Sequence, residues 1–118
     1  MNIKEFAEVT GLSAHTLRYY EKIGLLKNVQ RSSSGHRFYT GKDAEWIGFI
    51  LRLKETGMAL EAILQYAQLR EQGASTAPLR QAMLEEHQAN LKAYIARQQQ
   101  HMAVLEHKIW LYKNQKVG

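Results

Sequence analysis

The stretch that decides the fold of this chain is Gly11-Leu12-Ser13-Ala14-His15-Thr16-Leu17-Arg18-Tyr19-Tyr20-Glu21-Lys22-Ile23-Gly24-Leu25-Leu26. Gly11 predicts the left-handed end of one helix, Ser13 predicts the N-cap of the next, and Gly24 predicts the end of that second helix. Four polar side chains of the second helix share one face because they recur at i, i+3, i+4 and i+7: His15, Arg18, Tyr19 and Lys22. Such a face fits the major groove of DNA, but a solvated surface helix explains it equally well.

The residues before this stretch favour DNA binding. Asn2 predicts an N-cap with Glu5 at the third helical position, so a short helix is expected to begin at the start of the chain. Two short helices joined by a tight turn that contains glycine are typical of a helix-turn-helix, whose second helix contacts the bases.

The residues after the stretch predict a β-hairpin. Residues 28–39 place the run Ser32-Ser33-Ser34-Gly35 where a turn is needed. A hairpin beside a recognition helix is a wing, and Arg31 and Arg37 near its tip would reach phosphates. The predicted DNA-contacting residues of the recognition helix are His15, Thr16, Arg18, Tyr19 and Lys22. Those of the wing and its flank are Lys4, Arg31, Ser34, His36 and Arg37.

These motifs resemble a known family. The run from Leu17 to Leu26, followed by Arg31, the segment Gly35-His36-Arg37-Phe38-Tyr39 and Asp43, closely resembles the MerR family of transcription regulators. The resemblance covers nearly the whole chain and implies a homodimer that binds a near-palindromic promoter element, distorts its spacer and engages RNA polymerase.

A narrower branch is similar in two further places. Residues 46–58 and the segment Leu105-Glu106-His107-Lys108-Ile109-Trp110-Leu111-Tyr112 resemble the AdhR-like and NmlR-like regulators of aldehyde and nitrosative stress. Arg52 stands where that branch has a cysteine. Because the chain contains no cysteine at all, thiol chemistry cannot be its trigger.

The positive charge is concentrated in the N-terminal part. The formal net charge is +5, and residues 1–42 contain seven Lys or Arg against three Asp or Glu. Residues 43–118 contain nine against eight. The predicted helix-turn-helix and wing therefore carry the positive potential that attracts a polyanion.

Composition and spacing argue against several other classes. The five histidines do not recur at i, i+4 on one helix face, and no nucleophile–base arrangement or phosphate-cradling glycine loop is present, so we expect no metal, no cofactor and no catalysis. The longest apolar run, Trp46 to Leu51, is far too short for a membrane span. We expect a cytoplasmic protein that is not bound to a membrane.

Two helices are predicted after the wing. Thr40 with Asp43 predicts the start of the third, and Gly57 its end. The fourth is expected from about Leu60 to Gln72, with Gly73 after it. Ala59 stands where the family usually has a capping serine, so the start of the fourth helix is expected to be frayed or differently satisfied.

The C-terminal part predicts one long helix, from about Pro78 to Lys113. Its apolar residues recur with a heptad period over four repeats, which is typical of a coiled coil. The predicted dimer interface is Leu84, Leu91, Ile95, Met102, Leu105, Ile109 and Tyr112. An intramolecular core face would give the same period, and the resemblance implies an antiparallel pair.

The expected fold is therefore mostly α-helical. It comprises a winged helix-turn-helix DNA-binding domain over residues 1–73 and a coiled-coil dimerisation helix over residues 74–118. The expected function is sequence-specific transcription regulation. An architectural DNA-binding protein without regulatory input, or a coiled-coil adaptor with a basic head, remains an alternative. A small-ligand pocket lined by Tyr66, Tyr94 and Trp110 is a further hypothesis.

Overall fold

The computed structural model describes residues 1–27 and 29–117. Its elements are, in chain order, α1 (Ile3–Thr10), α2 (Ala14–Ile23), β1 (Gln30–Arg31), β2 (Arg37–Phe38), α3 (Gly41–Glu55), α4 (Leu60–Glu71), a 3-10 turn (Ala74–Thr76) and α5 (Ala77–Lys113). The described residues divide into unit 1, which begins at Met1 and ends at Gln81, and unit 2, which begins at Ala82. The predicted fold class, a mostly helical chain with a winged helix-turn-helix and a long C-terminal helix, is confirmed.

The first helix begins at the predicted cap. The Asn2 side chain accepts a hydrogen bond from the Glu5 amide, and the Glu5 carboxylate accepts one from the Asn2 amide. Gly11 ends α1 with φ +73°, a left-handed conformation that glycine adopts without a Cβ penalty. The chain can therefore turn at once into α2.

The core of unit 1 is held together by contacts between residues of different elements. The Tyr39 ring, fully buried after β2, stacks on Phe6 with centroids 4.4 Å apart and 5° between the planes. The Trp46 indole Nε1 donates to the Leu25 carbonyl at 2.7 Å. The remaining buried apolar side chains come from α2 to α4: Leu17, Tyr20, Leu25, Leu26, Ile47, Ile50, Leu53, Ile63, Tyr66 and Ala67.

The third and fourth helices begin as predicted. Thr40 and Asp43 form a reciprocal capping box on α3, and Ala59 makes no side-chain cap on α4. Helix α4 ends at Glu71, one residue before the predicted Gln72, and Gly73 follows with φ +90°.

Thr76 anchors the connection to α5. Its buried hydroxyl lies within hydrogen-bond distance of the Leu69 and Gly73 carbonyls and accepts from Arg80 Nε at 3.1 Å. The long helix therefore starts from a fixed point in unit 1.

Unit 2 consists mainly of the rest of α5. This helix has 37 residues, which corresponds to about 55 Å at 1.5 Å per residue. None of the α5 residues, all of which the structure describes, is buried. Beyond its end, Gln115 takes a left-handed φ of 52° and the Lys116 amide donates to the Leu111 carbonyl, which closes the last turn.

Candidate nucleic-acid interface

Helix α2 is fixed at both ends. The Ser13 side chain accepts from the Thr16 amide at 3.1 Å, and its hydroxyl donates to the Thr16 hydroxyl at 3.0 Å. At the other end, Gly24 has φ +89°, and the Leu25 and Leu26 amides donate to the Tyr20 carbonyl. The orientation of the helix is therefore set by its caps and by the burial of its inner face.

The outer face of α2 is open to solvent. His15, Arg18, Tyr19 and Lys22 are all exposed, with Tyr19 at 47%. Thr16, also predicted to contact DNA, is only half-exposed, and its hydroxyl is engaged with the N-cap. The structure thus presents two cations, an imidazole and a phenol together on one helical surface.

The wing is a minimal antiparallel hairpin. Gln30 pairs with Phe38 and Arg31 with Arg37, while Asn28, where the predicted hairpin begins, lies outside the described residues. The turn is closed by hydrogen bonds from the Ser32 amide to His36 and from the Gly35 amide to Ser32. Every residue from 30 to 38 is exposed, so the wing contributes nothing to the core.

The wing and α2 border a shared basic concavity. It has a volume of about 270 Å³, and its walls come from the start of α1, from α2 and from the wing: Asn2, Ile3, Arg18, Arg31, Gly35, His36 and Arg37. Three arginine residues line this space, and their positive charge favours an anion such as a phosphate there. The structure brings together four predicted site residues here, whereas Lys4 is exposed on α1 and Ser34 bonds to Ser32 at the wing tip.

Two of these arginines already make contacts within the protein. Arg31 Nη1 donates to the Gly35 carbonyl at 3.0 Å across the turn. Arg37 Nε donates to Glu21 Oε2 at 2.8 Å, which joins the wing to α2. Each of these contacts uses one of the five N–H donors of a guanidinium, so four remain for a ligand.

Sequence reasoning missed the residues that hold the wing in place. Glu21 was part of the recognised motif, but nothing in its spacing indicated a partner 16 residues away. At the base of the wing, the Tyr39 amide donates to the Met1 carbonyl at 2.7 Å and the Met1 ammonium donates to the Tyr39 carbonyl. The Tyr39 hydroxyl is buried without a partner among the described residues, and this burial raises the pKa of Tyr39.

The predicted dimer residues lie on α5. Leu84 and Leu91 are half-buried, and the apolar side chains further along are about half exposed or more: Ile95, Met102, Leu105, Ile109 and Tyr112. Tyr66, predicted as a pocket residue, packs instead in the core of unit 1, stacked on Trp46 with centroids 6.0 Å apart.

The described residues contain neither a metal site nor a membrane span. Across residues 1–27 and 29–117 no three His, Asp or Glu side chains lie close enough together to hold a metal ion. In the same part of the chain no helix is long and apolar enough to span a membrane.

A helix-turn-helix with an open basic face, followed by a wing, defines a winged helix-turn-helix DNA-binding protein. Comparison with known families gives the same class: residues 1–70 match the family "MerR HTH family regulatory protein" and residues 44–108 match "MerR, DNA binding". The chain belongs to the MerR family of transcription regulators.

Individual relatives support this assignment. An uncharacterised HTH-type transcriptional regulator of Haemophilus influenzae is 39% identical over 93% of this chain and 82% of its own length. The regulator AdhR of Bacillus subtilis is 40% identical over 77% of this chain and 65% of AdhR. The crystal structure of HiNmlR, a MerR family regulator lacking the sensor domain and bound to promoter DNA, has a TM-score of 0.86 at 37% identity and covers 98% of this chain and 91% of HiNmlR.

The predicted resemblance to AdhR-like and NmlR-like proteins is thereby confirmed. These relatives are transcription regulators, and this chain is accordingly a DNA-binding regulator and not an enzyme.

Proposed function

We propose that the chain acts as a homodimer that binds a near-palindromic promoter element and distorts the DNA between its half-sites. The observation that carries this proposal is the exposed face of α2 beside a concavity lined by Arg18, Arg31 and Arg37. In this arrangement His15, Arg18, Tyr19 and Lys22 contact base edges and the first phosphates in the major groove. The wing arginines, with His36, Ser34 and Lys4, contact the flanking backbone.

The dimer is inferred from α5. Four apolar side chains form a row along α5 and are about half exposed or more: Ile95, Met102, Leu105 and Ile109. No residue of α5 is buried. Burial of one such side chain stabilises an assembly by roughly 1.5–3 kcal/mol, so several of them suffice for a firm dimer. Two copies of α5 would pair as an antiparallel coiled coil and hold two DNA-binding modules at the separation of two half-sites.

We assign DNA binding to residues 1–73 and dimerisation to residues 74–118. The fit to a promoter-bound relative supports a promoter as the target, and family resemblance supports RNA polymerase as the partner that reads the distorted DNA. Because the chain has no cysteine, its regulation does not use a thiol.

The test is selection of bound sequences from a randomised duplex library by the purified full-length protein. We expect enrichment of one motif with two-fold symmetry, together with sedimentation of the free protein as a dimer. Enrichment of no sequence, with cooperative coating of the DNA, would instead identify an architectural DNA-binding protein. Absence of DNA binding at moderate salt would favour the adaptor alternative.

A further inference from the structure

One acidic side chain lies on the helix that faces DNA. Glu21 is the only Asp or Glu between Ala14 and Ile23, and its side chain is 26% exposed. A carboxylate in this position repels a polyanion and lowers the electrostatic part of DNA affinity. Glu21 therefore needs a role that offsets this repulsion.

The contacts of the wing indicate that role. The hydrogen bonds of the turn and the Arg31–Gly35 bond join wing residues only to each other. Below the strands, Tyr39 fixes the base of the wing against Phe6 and Met1. Among residues 1–27 and 29–38, the one hydrogen bond or ion pair from the wing strands or turn to α2 is Arg37 Nε to Glu21 Oε2.

We propose that Glu21 is a positioning residue for sequence-specific DNA binding. It holds Arg37, and with it the wing, at a fixed position relative to the recognition helix. This inference rests on the proposed function and adds to it the residue that sets the geometry of the wing. Glu21 does not itself contact DNA.

The chemistry of the guanidinium makes this possible. The Nε–H faces Glu21, while both Nη groups, with four donors, stay available for a phosphate oxygen. Arg37 can therefore bind Glu21 and a phosphate at once. Because the wing is held before DNA arrives, less conformational freedom is lost on binding to a site where α2 and the wing must fit together. Random DNA imposes no such fit, so the Arg37–Glu21 contact contributes little to the affinity for random DNA.

The decisive variant is Glu21→Ala in the full-length protein, assayed on the selected operator and on random duplex. Alanine is a strong helix former, so α2 is retained. We expect affinity for random DNA to rise, because a negative charge is removed. Affinity for the operator should fall about three- to tenfold, the range for a charge-assisted hydrogen bond that is partly exposed. Glu21→Gln keeps an acceptor oxygen without the charge and should lose less operator affinity.

Glu8→Ala is the matched control. Glu8 is exposed on α1, has no hydrogen bond or ion pair among the described residues, and carries the same charge. Its removal should raise affinity for both DNAs by the same factor. If Glu21→Ala behaved like Glu8→Ala, with both affinities rising in parallel, the positioning role would be wrong.

A second measurement does not depend on an operator. The proton on Arg37 Nε should exchange slowly with solvent in the free wild-type protein and fast in Glu21→Ala, as followed by 15N NMR. Equal exchange rates in the two proteins would overturn the proposal that Glu21 holds Arg37. If the wild-type protein selects no symmetric sequence, the proposed function fails. The exchange measurement still decides whether Glu21 holds Arg37.

Discussion

Unit 1 and unit 2 both contain many apolar side chains, but only unit 1 buries them. In unit 1, Phe6, Ile47 and Tyr39 have no exposed surface at all. In unit 2, Leu105 is 62% exposed and Met102 58%. A folded chain gains stability by removing apolar area from water, so the apolar row of α5 represents a gain that a single copy does not obtain. The comparison teaches that unit 1 is stabilised by its own sequence, while unit 2 is proposed to depend on a second chain.

The largest expected effect comes from breaking the row on α5. Replacement of Leu91 and Leu105 together by Asp would place charges against an apolar partner, at a cost of several kcal/mol of dimer stability. The variant should sediment as a monomer, and its operator affinity should fall about a hundredfold or more because the two half-sites are no longer linked. Sedimentation measures the oligomeric state, and DNA titration measures the operator affinity.

The control for this variant is Ala93→Asp with Val104→Asp. Both residues are exposed and lie away from the heptad row on the same helix. This control should remain a dimer. A dimeric Leu91/Leu105 variant would contradict the assignment of this row to dimerisation.

A smaller effect is expected from matched tryptophan truncations in the two units. Trp46 is 9% exposed, donates to Leu25 and carries the Arg70 guanidinium 4.0 Å above its ring, so Trp46→Ala should lower the free energy of unfolding by about 3–5 kcal/mol. Trp110 is 49% exposed, and Trp110→Ala should cost well under half of that. Urea denaturation followed by circular dichroism compares the two. An equal loss for Trp110 would mean that its face of α5 is covered in solution.

DNA binding should depend on cations of unit 1 far more than on those of unit 2. Arg18→Ala should weaken operator binding by roughly 1–3 kcal/mol and relax base preference, if the guanidinium contacts a base edge. Arg97→Ala, on the exposed surface of α5, should leave the affinity almost unchanged. Fluorescence anisotropy on operator and random duplexes measures both. Equal losses on the two DNAs would assign Arg18 to a phosphate instead.

The smallest effect concerns one hydroxyl. The buried Tyr39 hydroxyl has no partner among the described residues, so Tyr39→Phe should raise the free energy of unfolding by about 1 kcal/mol. Tyr94→Phe, at a residue that is 52% exposed, should change the free energy of unfolding by less than about 0.5 kcal/mol. A loss of stability in Tyr39→Phe would show that the hydroxyl has a partner in solution.

The raised pKa of Tyr39 makes the free energy of unfolding depend on pH in the wild-type protein but not, through this residue, in Tyr39→Phe. Because the folded state holds the proton more tightly, the free energy of unfolding does not depend on this ionisation below the ordinary Tyr39 pKa of 10.0. It falls as the pH rises from there through the folded-state pKa. Above pH 10.0 the free energy of unfolding should therefore fall less steeply with pH in Tyr39→Phe than in the wild-type protein.

Sequence reasoning succeeded where the signal is local. Asn2, Ser13 and Thr40 cap their helices as predicted, because a cap depends on residues only three positions apart. Ala59, which stands where the family usually has a capping serine, makes no side-chain cap on α4. The start of α5, predicted at about Pro78, lies one residue earlier at Ala77.

It failed where two distant segments meet. The Arg37–Glu21 pair and the Tyr39–Phe6 stack depend on where the hairpin folds back, which no residue spacing specifies. The bond from Trp46 to the Leu25 carbonyl likewise requires the relative placement of α2 and α3. The residues predicted to contact DNA are visible in the pattern, whereas those proposed to position them appear only in three dimensions.

The two tryptophans also provide a built-in pair of optical reporters. The chain has two of them, and each unit contains one, Trp46 in a packed apolar setting and Trp110 half in water beside His107. Indole emission shifts to longer wavelength as the ring becomes hydrated, so the two signals should be separable in one spectrum. A Trp46→Phe protein would report on the C-terminal helix alone, and a Trp110→Phe protein on the core of unit 1 alone. Dilution and denaturation could then be followed independently without any added label.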